Sequence, residues 1–149
     1  DEEWRLGTFF TRGGSDRVTP QGGSTATPKA LMKWLLALQT GSIVDEPSSL
    51  EIKRLLYSTD RRIRYASNSA LNDAAVYYKS GSLYQCRPEE GFTCAKYMGN
   101  KNNFMNSVAI VERPGGSKYM VTLMTNVLKK NSNSDHSALG GKIDAMVRK

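Results

Sequence analysis

Apolar residues recur at helical spacing at Leu31, Trp34, Leu35 and Leu38, in a segment that opens on Thr27-Pro28 and closes at Gly41. Threonine is a good N-cap, proline suits the first helical position and glycine ends a helix, so this stretch predicts the clearest helix of the chain. Ser42-Ile43-Val44-Asp45 reads as a connector, and Pro47 or Ser48 opens a second helix through about Ser58, with Leu50, Leu55 and Leu56 on one face. That spacing assigns Trp34 and these leucines to the core. From Thr59 to Asp73 the chain is polar and basic and predicts a short helix or turn.

The period then changes to that of strands, predicted at Ala75 to about Arg87, Asn106 to Glu112 and Tyr119 to Leu128. Val108, Ile110, Val121 and Leu123 alternate with little polarity between them, as in strands covered on both faces. Arg113-Pro114-Gly115-Gly116-Ser117 joins the second strand to the third with a compact hairpin signal. A last helix is predicted from about Asp135, with Leu139, Ile143, Met146 and Val147 as its buried face. Three antiparallel strands with helices before and after them make an α+β piece. Residues 1–26 show little periodicity and read as a long loop anchored by Trp4, Leu6, Phe9 and Phe10.

The first strand breaks its own pattern. An aromatic and aliphatic run, Ala75-Val76-Tyr77-Tyr78, gives way to Lys79-Ser80-Gly81-Ser82 before resuming at Leu83-Tyr84. Glycine within a strand often marks a close approach by a ligand or another backbone, and the lysine places a positive charge there. The alternative is an edge strand with a solvated lysine.

Composition narrows the picture. The 149 residues fit one domain, and a hydrophobic content of 39% with Gly-, Ser-, Asn- and Thr-rich tracts describes a loop-rich globular piece. No apolar run is long enough for a membrane span, and Asp1-Glu2-Glu3-Trp4 has no signal-peptide character, so the signal of an exported parent would already be gone. The net charge of +7 raises nucleic acid or anionic envelope polymers as partners. The basic residues are scattered, however, apart from a knot at Arg61-Arg62-Ile63-Arg64, and no Lys/Arg stripe with interleaved aromatics is present. A solvated basic surface is therefore expected, and no nucleic acid as a partner.

Cys86 and Cys94 have no metal-ligand spacing, and the single histidine, His136, lies far from them in sequence. No metal site is expected. The two thiols fit a disulfide closing a short loop in an oxidising compartment, with two separate buried thiols as the alternative. His136, among serines and asparagines at the start of the last helix, reads as a surface or capping residue rather than a general base.

A Thr27-Pro28-Lys29-Ala30-Leu31 opening of a Leu-rich helix that ends at Gly41, a second helix, a basic stretch, Tyr78-Lys79-Ser80-Gly81-Ser82, two further strands and a final helix resemble the C-terminal half of a class A β-lactamase or related penicillin-recognising serine hydrolase. The resemblance runs from about Ser24 to Lys149, and Lys79-Ser80-Gly81 is similar to the Lys-Thr/Ser-Gly box of that family. It implies a partial β-lactamase/transpeptidase-like domain over 27–149, with residues 1–26 a remnant of the long active-site loop. It also implies roles. Lys79 would set its ammonium in the site, Ser80 would bind the substrate carboxylate, Gly81 would permit close approach, and the Ser82 N–H would be one of two oxyanion-hole donors. The implied substrate is a β-lactam or a peptidoglycan-type peptide, without a cofactor, and the implied location is periplasmic or secreted.

The family's Ser-x-x-Lys and Ser-x-Asn elements are absent from these residues, so the nucleophile is expected from a companion N-terminal segment. Pairing with that segment, or homo-oligomerisation, would cover the sheet edge the truncation exposes. Glu3-Trp4-Arg5-Leu6 partly resembles the family's Glu-x-x-Leu-Asn motif, but Gly7 replaces the asparagine and the interval to Pro28 is long, so Glu3 is not assigned as deacylation base. A reading from another class is a non-catalytic module that holds anionic cell-envelope polymer on its basic surface. It predicts salt-sensitive binding indifferent to Lys79.

Overall fold

The computed structural model describes residues 25–149 together with the backbone of a two-residue strand, β1 (Trp4–Arg5). β1 pairs antiparallel with β2 (Thr25–Ala26). The rest of the expected loop over 1–26, with the Glu3 motif and the anchors Leu6, Phe9 and Phe10, lies outside the described residues.

Helix α1 spans Pro28–Gln39 and starts as its sequence dictates: the Thr27 hydroxyl accepts from the Ala30 N–H at 3.1 Å with proline at the first turn. Helix α2 spans Glu46–Tyr57 and starts slightly earlier than its proline suggests, because Asp45 is the cap, accepting from the Ser48 N–H at 2.7 Å. The basic stretch that follows forms two short 3₁₀ turns, Arg64–Ser67 and Ser69–Leu71. Then come β3 (Ala75–Gln85), β4 (Asn102–Glu112), β5 (Lys118–Asn126) and helix α3 (Asn133–Val147).

The three strands form one antiparallel sheet in the order β3-β4-β5, so β3 is an edge strand. Both faces are covered. Leu35 and Leu38 of α1, with Ile52 and Leu56 of α2, pack on Tyr77, Val108, Ile110 and Met120. On the other face Tyr65, Ala66 and Leu71 of the 3₁₀ turns, with Ile143 of α3, pack on Val76, Tyr78, Ala109, Val111 and Val121. The hairpin closes as its Pro-Gly-Gly sequence requires, with Gly115 and Gly116 both at φ +90° and the Arg113 N–H donating to the Ser117 carbonyl at 2.9 Å. An α+β architecture with three antiparallel strands, as the pattern predicts, is what the chain adopts.

Several core assignments need correction. Leu50 and Leu55 are largely exposed and Trp34 is 37% exposed rather than core; the inward stripe of α2 is Ser49, Ile52 and Leu56, and the Ser49 hydroxyl is tied to the Ile43 backbone at 3.0 and 3.1 Å. Of the apolar face expected for α3 only Ile143 packs inward; Leu139, Met146 and Val147 are exposed, while His136, Gly140 and Asp144 are buried. A β-carbon on Gly140 would stand 2.6 Å from the Tyr65 carbonyl oxygen. Helix and turn are thus in backbone contact at a position where an apolar side chain has no room.

His136 is buried, not on the surface. The Thr125 hydroxyl donates to the Met105 carbonyl at 2.8 Å, so at the 3.0 Å contact between Thr125 Oγ1 and His136 Nε2 the imidazole is the donor, and its buried Nδ1 has no partner. Burial, reinforced by the positive charge of Arg64 and opposed by Asp135, holds the imidazole below its ordinary pKa of 6.5. The fold therefore accepts the neutral ring. Its contribution to stability is complete above the unfolded-chain pKa and is lost as the pH falls below that value. Urea midpoints at about pH 7.5 and about pH 5.5 should show a loss in the native protein that shrinks in His136→Gln. An equal loss in both proteins would remove His136 from the acid sensitivity.

Candidate functional site

The interrupted segment of β3 projects beyond the packed layers. Val76 and Tyr78 are buried, whereas Lys79 and every residue from Gly81 to Gln85 are exposed and Ser80 is half-buried. Register fixes Lys79 opposite Val108, Ser80 opposite Ser107, Gly81 opposite Asn106 and Ser82 opposite Met105.

The direction of each backbone group follows from the hairpin. Arg113 N–H bonds Ser117, and along the unbroken β4–β5 register the odd-numbered positions of β4 turn their backbone groups to β5; the Met105 carbonyl, met there by Thr125, agrees. Even-numbered positions, Asn106 among them, then turn theirs to β3. Gly81 is directly opposite Asn106, so Lys79, Gly81 and Leu83 direct their N–H and C=O groups into the sheet. Ser80 and Ser82 direct theirs to the free edge. Arg64 confirms this geometry, since its Nη1 lies 2.6 Å from the Gly81 oxygen and 3.5 Å from the Asn106 oxygen, which requires both carbonyls to lie between the strands.

Lys79 brings its ammonium to the same edge, where Nζ donates to the outward Ser80 carbonyl at 2.6 Å. Among the described residues it forms no ion pair. A β-carbon built on Gly81 meets nothing within 4 Å, so the space beside it is open. The edge thus displays an unpaired ammonium, an outward N–H at Ser82 and room for another chain or molecule to lie alongside. An acyl oxygen acquiring negative charge there would meet both a donor and a cation.

Arg64 is the residue that sequence reasoning missed. It sits in the Arg61-Arg62-Ile63-Arg64 knot expected to be solvated, yet it is 4% exposed. Arg62 also turns inward, its two Nη atoms donating to the Leu71 and Ala74 carbonyls at 2.8 Å each. Arg64 reaches its place with a left-handed backbone, φ +54°. Its Nε donates to Asn133 Oδ1 at 3.2 Å and its Nη2 to the Tyr97 hydroxyl at 3.5 Å, with the guanidinium over the Tyr97 ring at 5.6 Å from its centroid. The hydrogen bond from Arg64, with help from Lys96, holds the Tyr97 phenol below its ordinary range despite partial burial. Among the described residues no carboxylate pairs with Arg64. Basic composition alone gives no signal for this inward turn, since a run of arginines reads the same whether it is solvated or buried.

Tyr97 belongs to the 86–101 connection, which is fastened at several points. Cys86 and Cys94 are joined as a disulfide. Asn100, buried, accepts from the Arg87 N–H at 2.9 Å and donates to its carbonyl at 3.0 Å. Asn103 donates to the Tyr97 and Val127 carbonyls at 2.8 and 2.7 Å, and Glu89 pairs with Lys129. Among the described residues no group of His, Cys, Asp or Glu could hold a metal ion, and no helix is long and apolar enough to cross a membrane.

Compared with known proteins, the chain matches over residues 6–145 the model of a family described as the Beta-lactamase enzyme family. No curated protein and no solved structure matches it.

Proposed function

Because the chain belongs to the β-lactamase enzyme family, we propose that it forms one wall of a serine-hydrolase site that transfers the acyl group of a β-lactam or a peptide amide. The observation that carries this reading is the outward Ser82 N–H beside the Lys79 ammonium, in no ion pair among the described residues, on the free edge of β3. In this reading the substrate lies along that edge, Ser82 N–H receives the acyl oxygen, Lys79 stabilises negative charge and orients hydroxyls, and the Ser80 hydroxyl binds the substrate carboxylate. Gly81 leaves the room for the approach.

The nucleophilic serine, in a Ser-x-x-Lys element, is supplied by a companion segment that this sequence does not contain. A disulfide at Cys86–Cys94 fits an extracytoplasmic, periplasmic or secreted, location.

Fluorescent penicillin tests the assignment. A protein that includes the companion segment should be labelled covalently, and the isolated 149-residue chain should not. Labelling of the isolated chain would place the nucleophile within it and contradict the division of the site.

A further inference from the structure

A single peptide group links the Gly81 carbonyl to the Ser82 N–H, and its two ends face opposite sides of β3. The carbonyl end lies between the strands and accepts from Arg64 Nη1 at 2.6 Å. The N–H end faces the free edge. A peptide is a planar, resonant unit, so a cation hydrogen-bonded to its oxygen draws electron density from nitrogen and resists rotation of the plane. We propose that Arg64 is a positioning residue for oxyanion stabilisation, which fixes and polarises the Ser82 N–H through the Gly81 carbonyl. This rests on the reading of Ser82 N–H as the oxyanion donor.

The surroundings of Arg64 suit that role. Its charge is buried and not neutralised by a described carboxylate, so its field at the Gly81 oxygen is weakly screened. Asn133 and Tyr97 hold the other nitrogens of the fork, leaving Nη1 aimed at Gly81 and, at 3.5 Å, at Asn106. Arg64 holds this place with a left-handed backbone, φ +54°, a conformation that a residue with a β-carbon adopts only at a cost. The alternative is that Arg64 merely ties its 3₁₀ turn to the sheet and to α3.

Amide exchange of Ser82 separates the two roles without any substrate. Arg64→Gln removes the charge, so the Ser82 N–H becomes less acidic and its base-catalysed exchange should slow by about tenfold, the change that one charge-assisted hydrogen bond corresponds to. The Ser80 N–H, whose peptide carbonyl belongs to Lys79 and is not touched by Arg64, should be unaffected. Loss of a mere tie would loosen the edge and leave Ser82 exchange unchanged or faster, and either result would overturn the proposal. Asn133→Ala, at an exposed position, keeps Arg64 but frees its Nε; it should slow Ser82 exchange by a smaller factor, and it decides the matter if Arg64→Gln does not fold.

Acylation gives the second readout, in the protein with its nucleophile-bearing segment present and a neutral activated ester that has no carboxylate for an arginine to bind. Arg64→Gln should lower kcat about tenfold with KM held, as expected for a weakened oxyanion donor. An unchanged kcat with acylation otherwise intact would overturn the role of Arg64 alone. Failure of the unsubstituted protein to acylate with any ester or lactam would instead contradict the reading of the site, whatever the amide exchange shows.

Discussion

Lys79→Ala should lower the acylation rate of the complete protein by about 10²-fold or more, the scale seen when a preorganised electrostatic contact to a developing oxyanion is removed. The side chain is exposed, its hydrogen bond is to the carbonyl of its own neighbour, and among the described residues it is in no ion pair. Removing it therefore costs the fold little, within about 0.5 kcal/mol. Pre-steady-state labelling with a fluorescent penicillin, with a urea titration beside it, reads both quantities. A rate within a few-fold of the unsubstituted protein would take Lys79 out of the site, and salt-sensitive polymer binding indifferent to this substitution would favour a basic envelope-binding module.

Asp144→Ala should produce the largest loss of stability, about 3–5 kcal/mol, because it strips the partner from buried cationic and hydroxyl groups. The Asp144 side chain is fully buried; Arg113 Nη1 donates to it at 3.0 Å and so does the Tyr119 hydroxyl, which in turn accepts from Tyr65 at 3.2 Å. Arg148 Nε approaches its second oxygen at 2.8 Å. Burial, together with its contacts to Tyr65 and Asp144, pushes the Tyr119 phenol well above its ordinary range, so that hydroxyl stays a donor. Without Asp144, Arg113 keeps only the exposed Asp73 as an acidic partner. The midpoint of urea unfolding measures the effect, and a loss below about 1 kcal/mol would mean that the buried pair is no more than a surface-type ion pair.

How much of this is legible from sequence differs from one element to the next. The bounds of helix α1 are written in Thr27-Pro28 and Gly41, because caps and terminators act locally, whereas the exposure of Trp34 is not. The strand with its Lys79-Ser80-Gly81-Ser82 interruption is legible too, since a break in a strand pattern needs no tertiary knowledge, whereas its place at the sheet edge is only one of the readings the sequence allows. Strand β4 begins at Asn102 rather than at Asn106 because the Asn-rich tract is not loop: Asn103 is buried and uses its side-chain amide to bridge Tyr97 and Val127. A polar residue satisfied inside the fold looks the same in sequence as one in water.

Helix α3 departs from its expected face for the same reason, with Ile143 alone of that face packed inward. The face turned inward carries, besides Ile143, His136, Gly140 and Asp144, whose burial depends on Thr125, the Tyr65 backbone and Arg113, partners outside the helix. Apolar periodicity instead favours Leu139, Met146 and Val147, which stay exposed. Arg64 was hidden within a basic knot, and neither its left-handed φ nor its distance to Gly81 has a sequence signature.

The position of the acyl oxygen tests the central claim most directly. In a crystal structure of the complete protein trapped with a slowly released β-lactam, the acyl carbonyl oxygen should lie about 2.7–3.1 Å from the Ser82 nitrogen, on the free edge of β3 and beside Lys79. An acyl group seated elsewhere, with the Ser82 N–H left in solvent, would contradict the assignment of this strand as a wall of the site.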